Sequence, residues 1–189
     1  MATAENRKFL LEMLQYCARQ ELKNPICFVT KCHIPNEVLT ELSLLKSRGL
    51  NIIVYISYSG LCENLERGIN RTHVRQNFRR IADVGIPLIH YWRPIIAENA
   101  TLEIMREVHD YVSRYAECSV ATGLKLPIDI AGNIAEPPEF VHSISSTKTD
   151  SVWPKAALQN IATLFRQKPE FPVFFTTIAP YHSFCELMI

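Results

Sequence analysis

Residues 51–61 read Asn-Ile-Ile-Val-Tyr-Ile-Ser-Tyr-Ser-Gly-Leu. A short apolar run of β-branched and aromatic residues bounded by a Gly predicts a fully buried strand of a parallel sheet. The strand closes on Ser57, Ser59 and Gly60, a polar and flexible carboxyl end. In α/β folds ligands bind at the carboxyl ends of strands. Ser57 and Ser59 are two apart, so on an extended strand they share a face.

The rest of the chain alternates helical and strand periods around that stretch. Glu5 to Lys23 carries Phe9, Leu10, Met13, Leu14, Cys17 and Ala18 at three- and four-residue spacings, an amphipathic helix ended by Asn24-Pro25. Ile26 to Lys31 is a short strand. Pro35 opens a helix whose stripe is Val38, Leu39, Leu42 and Leu45, stopped by Gly49. Asn64 to Asp83 is a helix with a break near Gly68. Ile86 to Ile96 is a strand, with Pro94 at its end because Pro cannot donate to a ladder. Thr101 to Tyr115 is a helix, and Glu117 to Leu124 a fourth strand. Residues 127–149 have no period and contain Pro137-Pro138, so they read as a long loop. Asp150 or Ser151 caps a helix through Gln167, and Pro172 to Thr177 is a fifth strand.

Strand and helix thus alternate as βα units. A complete eight-unit barrel needs about 250 residues, and this chain has 189. The expected fold is α/β: one domain over residues 1–189, a partial (β/α) TIM-type barrel with a mostly parallel sheet of about five strands. An open sheet of this kind has edges that need cover.

Composition narrows the function less. Hydrophobic residues make up 48% and charged ones 21%, with net charge +1, so the chain as a whole is not a polyelectrolyte binder. Arg67, Arg71, Arg75 and Arg79 recur every four residues, with Arg80 beside them. On one helix they form a basic stripe, either a phosphate-facing surface or a solvated face paired with acidic residues. No run approaches the roughly 18–20 apolar residues of a membrane span. The six cysteines are irregularly spaced, which predicts reduced thiols in a cytoplasmic protein. Phosphate-loop, dinucleotide, zinc and nucleophile-elbow motifs are absent.

Basic residues stand at two strand ends. Lys31 follows the first strand, as a ligand-facing cation or an exposed end residue. Arg93 follows Trp92 at the end of an apolar strand. A guanidinium on a buried side needs a bidentate carboxylate or phosphate, or an internal ion pair. His90 reads as a core histidine. Thr122-Gly123 allows a close backbone approach to a ligand, or makes an ordinary strand-end turn.

Four segments in order carry a resemblance: Phe28 to Lys31, Val54 to Ser59 followed by Glu66, Gly85 to Ile96, and Ser119 to Leu126. Together they resemble the middle and later strands of a radical S-adenosylmethionine (SAM) barrel, in the branch that includes spore photoproduct lyase. The likeness covers about residues 25–126. Phe174 to Cys185 resembles a segment with a Thr and a Cys that follows the barrel in some of those proteins.

The resemblance implies that Lys31, Ser57, Ser59, Glu66 and Arg93 hold SAM or substrate. It further implies radical chemistry: a reduced [4Fe–4S] cluster cleaves SAM to a 5′-deoxyadenosyl radical, which abstracts hydrogen from substrate. The family's Cys-x3-Cys-x2-Cys cluster motif is not in this chain. Cys27 and Cys32 are the nearest pair, with no third cysteine close by. The chain would therefore need the cluster from another segment or a second polypeptide completing the barrel, and is expected to be inactive alone. The alternatives are a non-catalytic remnant acting as a protein-interaction module, through a sheet edge and the apolar tail Phe184 to Ile189, and a different α/β enzyme taking a small anionic ligand at Lys31 and Arg93.

Overall fold

The computed structural model describes residues 3–127, 140–144 and 149–175. The tail Phe184 to Ile189 and most of the segment from 127 to 149 lie outside them. Among the described residues five α-helices and seven strands form an α/β fold with a mixed, mostly parallel sheet. The elements are α1 Ala4–Arg19, β1 Ile26–Thr30, α2 Asn36–Ser47, β2 Ile52–Ser57, α3 Arg71–Asp83, β3 Leu88–Ile95, α4 Leu102–Val112, β4 Cys118–Pro127, β5 Phe140–Ile144, β6 Thr149–Pro154, α5 Lys155–Gln167 and β7 Val173–Phe175. The strand order is β1-β2-β3-β4-β6-β5, with β7 paired to β4. A helix lies in each connection from β1 to β4, as adjacent parallel strands require.

The chain divides into two compact units. One contains residues 1–58, 62–90 and 115–117, and the other residues 59–61, 91–114 and 118–189.

In the first unit β1 runs parallel to β2, from Ile26↔Ile52 to Thr30↔Ile56. Ile52, Val54 and Ile56 are buried, whereas Ile53 and Tyr55 are only half-buried. On β1, Cys27 is exposed and Val29 is 51% exposed. The sequence predicts a strand buried on both faces; β2 is buried on one. Alternation decides which residues the helices cover, and the other face stays open. The core on the covered side includes Leu14, Ile34, Leu42, Leu45, Phe78 and Ile81.

The first three helices end alike. In α2 the Leu50 and Gly49 N–H groups bond back to Leu45 and Lys46, and in α3 those of Ile86 and Gly85 bond to Ile81 and Ala82. This is the helix stop in which a left-handed residue turns the chain and a following apolar residue folds back. In α1 the same bonds run from Leu22 to Cys17 and from Glu21 to Ala18. Glu21 takes the left-handed position at φ 52°. The helix therefore ends at Arg19, ahead of the Asn24-Pro25 stop that the sequence suggests.

Two other boundaries move. The helix expected from Asn64 begins at Arg71, capped by the Asn70 side chain, which accepts from the His73 N–H at 2.9 Å. Arg67 therefore stands outside it. The expected loop at 127–149 contains β5 and leads into β6.

In the second unit β4 pairs antiparallel with β6 and parallel with β7, and β6 pairs antiparallel with β5. The sheet thus has seven strands where about five are expected. Helix α5 starts only at Lys155, after Pro154, because residues 149–154 are drawn into the ladder. Gly123 of β4 lies against Trp153 and the Val152 carbonyl, which a Cβ would strike. The close approach at Thr122-Gly123 is thus made by β6. Among the described residues no helix is long and apolar enough to cross a membrane.

Candidate functional site at the ends of the first two strands

Within the first unit the carboxyl ends of β1 and β2 bring together three residues singled out from the sequence. The last ladder pair is Thr30↔Ile56, so Lys31 and Ser57 stand one residue beyond it on adjacent strands. Lys31 Nζ forms an ion pair with the Glu66 carboxylate, and both side chains are largely buried. Glu66 comes from the turn segment before α3, where its N–H donates to the Cys62 carbonyl at 3.2 Å. A desolvated cation needs such a partner.

Ser57 is buried, and its hydroxyl has no hydrogen-bond partner in the structure. A buried hydroxyl left unpaired is unfavourable by about 1–3 kcal/mol. A stand of this kind at a strand end, beside an ion pair, is what a polar ligand would relieve.

The surroundings are densely hydrogen-bonded. The Thr30 hydroxyl accepts from the Cys32 N–H at 3.0 Å. Asn77, buried on α3, accepts from Ile34 N–H at 3.1 Å and donates to the Cys32 carbonyl at 2.9 Å. Arg80 donates to the Ile34 carbonyl and to Asn36 Oδ1, both at 2.5 Å. Next to Ser57, Tyr58 is buried and its hydroxyl accepts from Arg71 Nε at 2.7 Å. His90 Nε2 lies 2.8 Å from the Tyr58 carbonyl oxygen, so that nitrogen carries the proton and donates. His90 is thus a satisfied core histidine. His33, in the loop after β1, is held below its ordinary value by burial first, then by Arg80 and His73.

These bonds also dissolve the basic stripe. Arg71 and Arg80 are turned to interior acceptors, and Arg79 sits 3.6 Å from Asp83 in an exposed pair.

The other two sequence candidates belong to the second unit. Ser59 lies past the end of β2, not on the strand. It is buried, and its hydroxyl accepts from the Leu61 N–H at 3.1 Å. Arg93 was expected on a buried side with an anionic partner; it is exposed, with its guanidinium 4.8 Å from the Tyr91 ring centre. Alternation on β3 buries Trp92 and turns Arg93 out.

Asn77 and Asn99 were not read from the sequence, Tyr58 only as part of its strand end, and Arg80 only as a neighbour of the basic stripe. Asn77 left a trace there: it falls on the apolar stripe of Val74, Phe78 and Ile81, where a polar side chain implies a buried partner.

No family model matches the chain, and no curated protein matches it. Among the described residues no cysteines are grouped to hold an iron–sulfur cluster. Cys27 is exposed on β1 and Cys32 half-buried beyond it, and no three His, Cys, Asp or Glu side chains are grouped to hold a metal among the described residues. The site residues do suit a polar organic ligand: one unpaired buried hydroxyl, one cation and one carboxylate.

Proposed function

We propose that the chain is a SAM-binding partial (β/α) barrel that takes its cluster-bearing segment from elsewhere. The reading rests on the resemblance of residues 25–126 and on one observation: the unpaired hydroxyl of buried Ser57 beside the Lys31–Glu66 pair. SAM carries an amino group, a carboxylate and ribose hydroxyls. In this proposal Lys31 meets the carboxylate, Ser57 donates to a polar atom of the ligand, and Glu66 accepts from an amino or hydroxyl group. When bound with a reduced cluster, SAM supplies the radical chemistry, and the protein supplies orientation and shielding.

Calorimetric titration of the full chain with SAM tests this. Saturable binding that weakens in Ser57→Ala and Lys31→Ala is expected; no binding by the unaltered chain rejects the pocket. Anaerobic reconstitution with iron and sulfide tests the second half. Incorporation of about four irons per chain would show that its own cysteines suffice.

A second reading, a protein-interaction module, is favoured by a separate observation. Among the described residues strand β1 pairs only with β2, and Cys27 and Val29 on it are exposed. An edge strand with an open apolar face is a template for another chain.

A further inference from the structure

Helix α1 carries more apolar residues than its packing uses. Its sequence stripe splits into two. Leu14 is fully buried, with Leu10 and Cys17 half-buried on the same side, and Gln15 beside them donates to Glu41 of α2 at 2.7 Å. Phe9, Met13 and Tyr16 are 68%, 37% and 57% exposed. At 3.6 residues per turn these three fall within an arc of about 60°. Four- and three-residue spacing of aromatic, Met and aromatic makes a second seam with nothing against it among the described residues.

The seam is self-complementary. Reversing a second copy so that Phe9 faces Tyr16 also brings the two Met13 side chains beside the two-fold axis. In the same register Glu5, in the first turn, comes within one residue of Arg19, in the last turn, on the same flank. Neither Glu5 nor Arg19 makes an ion pair among the described residues, whereas Lys8 and Glu12 between them pair with each other at 3.8 Å. A parallel pairing would set Glu5 on Glu5 and Arg19 on Arg19. Both the apolar and the charged positions therefore select the antiparallel arrangement.

We propose that two copies of this chain associate through α1 in an antiparallel pair, with Phe9 packed on Tyr16 of the second copy and Glu5 beside Arg19 of the second copy. A single helix pair is smaller than the roughly 1,200–2,000 Å² of stable interfaces. The association is accordingly weak and concentration-dependent. It does not depend on any ligand at Ser57.

Sedimentation equilibrium of the full chain in reducing buffer, over a range of protein concentrations and at low and high salt, tests this. A monomer–dimer equilibrium that weakens with salt is expected. Phe9→Glu should abolish the dimer while circular dichroism stays unchanged, since the position is exposed and Glu is a good helix former. Glu5→Arg alone and Arg19→Glu alone should each raise the dimer Kd about tenfold, because each sets like charges together twice. The double reversal should restore it. A chain that stays monomeric throughout, as one awaiting a different partner would, overturns the proposal. So does a dimer indifferent to Phe9→Glu, or a double reversal no better than the single ones.

Discussion

The loop leaving β1 in the first unit and the loop leaving β3 in the second are each pinned by one buried asparagine. Asn77 reaches across from α3 and holds two backbone groups, Ile34 N–H and the Cys32 carbonyl. Asn99 sits within its own loop and holds three: its Oδ1 accepts from Ile96 N–H at 2.8 Å, and its Nδ2 donates to the carbonyls of Ser59 at 2.7 Å and Pro94 at 3.0 Å. Ser57 and His109 are as deeply buried, yet their side-chain polar atoms have no hydrogen-bond partners. Satisfied buried polar groups set the scaffold, whereas an unsatisfied one adds nothing to it and calls for another explanation.

The asparagines should show the largest effect. Asn99→Ala strands three backbone groups and should cost about 3–5 kcal/mol, and Asn77→Ala two groups and about 2–4 kcal/mol. Urea unfolding of each purified variant checks the order. If Asn77→Ala proved the costlier, the arrangement around Arg80, not the bond count, would govern the first loop.

How far the sequence reaches follows from which forces are local. Strands β1 to β3 and helix α2 are legible because their apolar periods and Gly stops lie within a few residues. The α1 stop is not, because Glu21 occupies a position usually marked by Gly. Strands β5 and β6 are missed because their pairing is with each other and with β4, and a short stretch around Val152 and Trp153 carries no period of its own. At the site, Lys31 and Ser57 are legible as polar residues after apolar runs, and Glu66 only through the resemblance. That Lys31 and Glu66 meet across 35 positions is not, and neither is the outward turn of Arg93.

His109 tests the comparison at its second unsatisfied group. It packs edge-on against Phe171, with ring centres 5.4 Å apart, and the exposed Asp110 carboxylate stands 3.6 Å from Nδ1, beyond hydrogen-bond reach. Burial holds its pKa below the ordinary 6.5; Lys168 lowers it further, while Asp110 and Glu170 oppose. Above that value both folded and unfolded chains carry a neutral imidazole. Below it the unfolded chain takes up a proton that the folded chain resists, so stability falls as pH drops. The slope is at most about 1.4 kcal/mol per pH unit. Melting temperatures on the acid side of neutrality should therefore fall less in His109→Leu than in the unaltered chain. Equal slopes would mean that His109 finds a proton acceptor.

The smallest loss is expected at Ser57, and the absence of a loss carries the information. Serine and alanine differ there by one hydroxyl that bonds to nothing, so Ser57→Ala should cost no stability, and removing the unpaired group should stabilise the chain by up to about 1–3 kcal/mol. A structural serine in an equally buried position would lose a bond and cost about 1–3 kcal/mol. Unfolding of the ligand-free variant therefore separates the two roles before any ligand is known. A loss near that of Asn77→Ala would make Ser57 part of the scaffold and remove the observation on which the ligand site rests. An undiminished or raised stability, together with weakened SAM binding by the same variant, assigns the hydroxyl to the ligand.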